Sequence, residues 1–224
     1  MVRFKASAPS SRAPVSSVGV QKKSGRRASA LSNQLHIDMN TSTIQPSDLQ
    51  MPKVVEAEDG RKILPFYTAR YCFSNHFPVD FQYDGHDFHT SEQAFMYAKA
   101  KQFGDDDAKE KILAEWDPRA CKSLGRAVRN FDEAVWTRVS YDTMLSVLRA
   151  KFSQHTALRN FLTNTVDAMI VEAAPRDRIW GIGMGENNPQ VADPSKHRGR
   201  NLLGKALMEI REEFRVADGM VKSS

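Results

Sequence analysis

The chain has 224 residues, 41% of them hydrophobic and 26% charged, the balance of a soluble globular protein. No run approaches the roughly 18 apolar residues of a bilayer-crossing helix, and two cysteines, Cys72 and Cys121, are too few for a disulfide framework, so neither a transmembrane helix nor a cystine-stapled fold is expected. The formal charge of +5 belongs to the amino-terminal end: residues 1–37 hold seven Lys or Arg and no acid, and residues 38–224 sum to −2, so the basicity is no sign of a nucleic-acid surface on the folded part.

Residues 1–60 are rich in Ser, Ala, Pro and basic side chains with little periodic hydrophobicity, which predicts a disordered tail. Its start, MVRFKASAPSSRAPVSSVGV, is free of acids and also suits an organelle transit peptide. RRAS (Arg26 to Ser29) has the charge context of a phosphate acceptor. One domain is expected over 61–216, with a short tail over 217–224. Ile63 to Tyr67 reads as a short strand. FQYDGHDFH reads as a hairpin, with Phe81, Tyr83 and Phe88 alternating about Asp84-Gly85, a dipeptide that accepts positive φ.

Thr90 with Gln93 three positions on opens a helix over 90–103. Short helices follow over 105–115 and 118–126, the second opened by Pro118 and closed by Gly125. A longer helix covers 133–155 and another TALRNFLTN, while AMIVEAA (168–174) reads as a buried strand. A Gly-, Pro- and Asn-rich loop runs over 175–201, and loops of that length inside a compact domain are usually functional or mobile. The last helix is expected over 201–214. The sum is an α+β fold: a predominantly helical single domain with a few short strands.

On the 90–103 helix, Glu92, Phe95 and Lys99 fall on one face at i, i+3 and i+7. HDFH (His86, His89) beside Glu92 imitates a metal cluster, but the spacing is wrong and a third ligand is not evident, so no metal is expected. The glycines of GIGMG follow no phosphate-binding fingerprint and open no helix. The stronger constellation is Glu92, Lys99, Asp177 and Trp180. Two carboxylates, an amine and an aromatic ring are what cleavage of an N-glycosidic bond uses: a carboxylate answers the positive charge that develops on the sugar. A desolvated lysine attacks the sugar carbon, and a ring stacks on sugar or base. Pattern alone favours the plainer arrangement of rim charges, a loop cap and a core ring, because isolated acids and lysines are mostly solvated.

FSNHFPVDFQYDGHDFHTSEQAFMYAKA, VLRAKFSQH, DRIWGIG and GRNLLGKALMEIREEF, in this order from about Phe66 to Phe214, resemble the NADAR family, also called YbiA-like N-glycosidases. The resemblance implies a compact, mainly helical α+β fold and hydrolysis of N-glycosidic bonds of ribosylated bases, with no cofactor. By motif position it implies catalytic roles for Glu92, Lys99 (the covalent amine) and Asp177. It places Ser74, Asn75, Trp136, Trp180, Gly181, Arg200, Asn201 and Gly204 at the substrate, with Arg126 and Arg129 holding phosphate bidentately. The stretch between Gly183 and Arg198 is longer than in the simplest members and bears on substrate choice.

Two substrate classes come with the resemblance: ADP-ribosylated guanine in DNA or RNA, and phosphoribosyl-amino-pyrimidine intermediates of riboflavin synthesis. The basic tail tips the expectation toward nucleic acid, to which it adds sequence-independent attraction. A non-catalytic ADP-ribose- or nucleotide-binding module is the rival from another class. Isolated thiols fit a reducing compartment, so a cytoplasmic or nuclear place is expected, or an organelle if the tail is an address.

Overall fold

The computed structural model describes residues 44–221. The expectations for the basic tail up to residue 43, the RRAS site among them, lie outside those residues. Residues 44–60 differ from the expected tail. Ile44 and Leu49 pack against the core, Pro46–Asp48 forms a 3-10 turn, and strand β1 (Val55–Glu56) pairs antiparallel with β2 (Lys62–Phe66). A few apolar residues among polar ones are enough when each finds a seat on a core already formed elsewhere.

β2 also pairs, in parallel, with β5 (Met169–Glu172), placing Ile63 opposite Met169 and Phe66 opposite Glu172. The sheet order is therefore β1-β2-β5, and everything between β2 and β5 is one long crossover. It starts with the hairpin β3 (Phe81–Tyr83) and β4 (His86–Phe88), whose turn residues Asp84 and Gly85 take φ of 52° and 78°. Five helices follow: α1 (Ser91–Gln102), α2 (Asp106–Leu113), α3 (Pro118–Arg126), α4 (Glu133–Ser153) and α5 (Thr156–Thr163). After β5 and the long loop, α6 (Leu202–Ala217) packs back across β5 and α4.

Helix starts coincide with side-chain caps: Thr90, Asp105, Asp117 and Asp132 each accept a backbone N–H from the first turn. At α1 the Gln93 amide oxygen reaches back to the His89 N–H, while its nitrogen donates to the carbonyls of Ile112 and Glu115, so one side chain ties α1 to the end of α2. α1 is the central helix, packed on α2, α3 and α4 and buried along most of its length. Gly125 does not end α3, which continues to Arg126. Its missing Cβ instead makes room for the Met96 side chain, letting α3 lie close on α1.

The core runs from Phe66, Phe73 and Phe88 through Met144, Leu148 and Phe152 to Leu203, Leu207 and Ile210. Among the described residues no helix is long and apolar enough to cross a membrane.

Candidate active site

A cleft of about 1330 Å³ opens between α1, α3, the start of α4 and the loop after β5. Glu92 and Lys99 enter it from α1, as their shared helical face requires. Glu92 sits in the first turn with 4% of its surface exposed, and its backbone N–H donates to the Asn75 carbonyl at 2.9 Å. Its Oε2 lies 3.7 Å from His76 Nε2 and its Oε1 3.8 Å from Lys122 Nζ; Oε1 is enclosed and accepts no hydrogen bond. Two turns further on, Lys99 Nζ donates to the Gly125 carbonyl at 2.8 Å and stands 4.1 Å above the centre of the Phe131 ring. Partial burial lowers the amine below the ordinary lysine range, and the Arg126 guanidinium adds to the effect. A lowered ammonium pKa is what a nucleophilic lysine needs.

Asp177 and Trp180 reach the cleft from the loop after β5. Asp177 Oδ1 accepts the N–H groups of Ile179 at 2.9 Å and Trp180 at 2.8 Å, an Asx turn that fixes the DRIW segment. Trp180 meets Phe95 edge-on, ring centres 5.2 Å apart, and Trp136 meets the same Phe95 at 5.2 Å. The two tryptophans thus share one phenyl anchor at the cleft wall.

Ser74 and Asn75 line the cleft beside Glu92. Ser74 Oγ accepts the His76 N–H, and Asn75 Oδ1 is enclosed without a partner. Behind them Lys151, fully buried, donates to the carbonyls of Cys72 at 2.7 Å and Ser74 at 3.1 Å, fixing this loop from inside. Burial pushes its amine down to about 8.

Several expected site residues stand elsewhere. Arg126 lines the cleft, but Arg129 does not. Its backbone N–H and guanidinium are spent on Asp105, whose carboxyl they hold well below the usual range. Gly181, Arg200, Asn201 and Gly204 are not among the lining residues either. Asn201, at φ 53°, uses its side chain to bridge β5: Oδ1 accepts the Glu172 N–H at 3.0 Å and Nδ2 donates to the Ile170 carbonyl at 2.9 Å. A Cβ at Gly204 would strike that same carbonyl, and one at Gly181 would sit 2.9 Å from the Glu172 carbonyl. These three hold the loop and α6 against β5. Arg200 is exposed, with its backbone N–H on the Arg178 carbonyl. His89, half of the metal-like HDFH pair, contacts Asp80 and stacks on Trp116 at 3.6 Å.

Glu172 was not anticipated. It ends β5 beside the cleft, its Oε2 is enclosed and unpartnered, and burial pushes its carboxyl up to about 8, with Asp177 and Glu92 pushing the same way. The signal in the sequence was one acid within an otherwise apolar strand; that it stands at the carboxyl end of a parallel pair, where α/β folds place ligands, is shown only by the structure. His76, Lys122, Arg119 and Arg176 also line the cleft without having stood out in the sequence.

A model of the NADAR domain matches residues 65–215. The chain belongs to the NADAR family. N-glycosidase R617 of Acanthamoeba polyphaga mimivirus is 40% identical over 148 residues, 64% of this chain and 87% of that protein. The solved structure of the Escherichia coli protein YbiA superposes with a TM-score of 0.61 at 28% identity, covering 80% of this chain and 98% of that one. Riboflavin biosynthesis protein VVA0006 of Vibrio vulnificus is 30% identical over 141 residues, 63% of this chain and 35% of that protein. The expected helix-dominated α+β fold holds, and so does the enzyme class: this NADAR chain is an N-glycosidase.

Proposed function

We propose that this N-glycosidase removes ADP-ribose from ADP-ribosylated guanine in nucleic acid. The observation that carries the reading is the size and lining of the cleft. At about 1330 Å³ it exceeds the usual small-molecule site of roughly 300–1,000 Å³. Arg119, Lys122, Arg126 and Arg176 stand along it, with Trp116, Trp136 and Trp180 among them. An ADP-ribosylated base brings two phosphates, two riboses and two bases, and so asks for several cations and several stacking rings. A phosphoribosyl pyrimidine asks for one of each.

The lining supports the following mechanism. Arg126 holds phosphate. Lys99, its amine lowered by burial and by Arg126, attacks C1 of the ribose. Glu92, at the cleft wall, assists ring opening and opposes the positive charge at C1. Asp177 keeps Trp180 in place through its first carboxylate oxygen and leaves the second for ribose or water.

One observation favours a second reading, hydrolysis of phosphoribosyl-amino-pyrimidine intermediates: VVA0006 carries riboflavin biosynthesis in its name. Purified protein given each substrate separately, with Lys99→Ala alongside, decides between them. Release of ADP-ribose from a modified guanine oligonucleotide alone supports the first reading. Cleavage of the pyrimidine alone replaces it with the second. Tight binding of ADP-ribose with no product from either would make the cleft a binding module.

A further inference from the structure

Three enclosed oxygens on the cleft wall accept no hydrogen bond: Asn75 Oδ1, Glu92 Oε1 and Glu172 Oε2. Glu172 is held by its backbone at the end of a strand. Its N–H donates to Asn201 Oδ1 at 3.0 Å, its carbonyl accepts the Ile182 N–H at 2.9 Å, and it is paired in register with Phe66 across the parallel ladder. The charged groups facing its carboxyl are Asp177 from the loop, Glu92 from α1 and Lys122 from α3. Burial and the two acids oppose ionisation; Lys122 alone favours it. A carboxyl that keeps its proton near neutral pH, fixed at the wall of a reaction cleft, has the properties of a general acid.

We propose that Glu172 is the catalytic acid that protonates the departing base. The inference rests on the N-glycosidase reading of the cleft and holds for either substrate. As Lys99 Nζ bonds to C1, the C1–N bond breaks and its electron pair stays on the base nitrogen, which takes the proton of Glu172. The water that then replaces Lys99 at C1 gives a proton to the Glu172 carboxylate. One water is consumed, and both side chains return to their starting forms. Glu92, with His76 and Lys122 beside it at 3.7 and 3.8 Å, is left the complementary task at the sugar.

The test uses the full chain and whichever N-glycoside the wild type cleaves. Glu172→Gln is expected to lower kcat by about 10²–10⁴-fold, the usual contribution of a positioned acid, with KM changed far less. Wild-type kcat is expected to fall above about pH 8, with that limb missing in Glu172→Gln and retained, at lower rate, in Glu172→Asp. On the guanine substrate, methylation of N7 makes the base a better leaving group, and the deficit of Glu172→Gln is expected to shrink to tenfold or less. A folded Glu172→Gln with kcat within threefold of wild type overturns the proposal. So does an equal deficit on both leaving groups, which marks a structural residue. Silence of the wild type on both N-glycosides instead overturns the substrate reading, and the acid falls with it.

Discussion

The raised carboxyl of Glu172 makes a prediction about stability that needs no substrate. Held at about 8 in the fold against an ordinary 4.5, the group keeps a proton that the unfolded chain has released. Its favourable linkage is complete below pH 4.5 and is lost as pH rises toward 8. At pH 7 the unfolded carboxyl is ionised and the folded one is not. At 1.36 kcal/mol per pKa unit, that difference disfavours folding by about 3 kcal/mol. Glutamine fills nearly the same volume with no charge to suppress. Glu172→Gln is therefore expected to match wild type within about 0.5 kcal/mol at pH 4.5 and to exceed it by up to about 3 kcal/mol at pH 7. Urea unfolding of both proteins at several pH values measures this, and subtracting one curve from the other removes every other titrating group. In a thermal scan the gain amounts to several degrees for a domain of this size. Curves that stay parallel from pH 4.5 to 8 would refute the reasoning, since they would require a Glu172 ionised in the fold, and with it the acid role would go.

Three further outcomes follow from the site and its supports. Lys99→Ala should lose at least about 10³-fold in turnover while unfolding as wild type does, because alanine is the better helix former; borohydride added during turnover should trap a sugar adduct, seen by mass, on wild type alone. Arg126→Ala should raise KM for the phosphate-bearing substrate, whereas Arg129→Ala should leave it unchanged because that guanidinium is engaged by Asp105; equal effects would return Arg129 to the cleft. Gly204→Ala should cost about 1–3 kcal/mol in urea unfolding, as overpacking does, since its methyl would press on the Ile170 carbonyl and the Asn201 amide that holds Glu172.

Much of the architecture was legible because its signals are local. Thr90 and Pro118 announce α1 and α3 within one turn, and Asp84-Gly85 announces the hairpin. What stayed hidden depends on pairings distant in sequence. Nothing in AMIVEAA says that β5 lies parallel to β2, so nothing says that Glu172 ends beside a cleft. Arg129 and Arg126 look alike in the chain; only the turn of α3 against the start of α2 sends one to Asp105 and the other to the cleft. Asn201 and Gly204 show the same limit. Their motif marks a place where backbone approaches backbone, and sequence does not distinguish a close approach to a ligand from a close approach to a strand.

The acid and amine on α1 bring these threads together. Had they been rim charges, Glu92 would be solvated, as isolated acids usually are. It is instead 4% exposed, with one oxygen enclosed and unpartnered. Burying a polar atom without a hydrogen bond costs free energy, and so does suppressing the ionisation of Glu172 next to it. Asn75 adds a third orphan acceptor on the same wall. A fold selected for stability alone would fill these positions with apolar side chains. Local rules broken together around one cleft, while the caps, hairpin and core obey them, mark where function overrides stability. On the proposed mechanism, the i, i+7 face of α1 is the working surface that these broken rules surround.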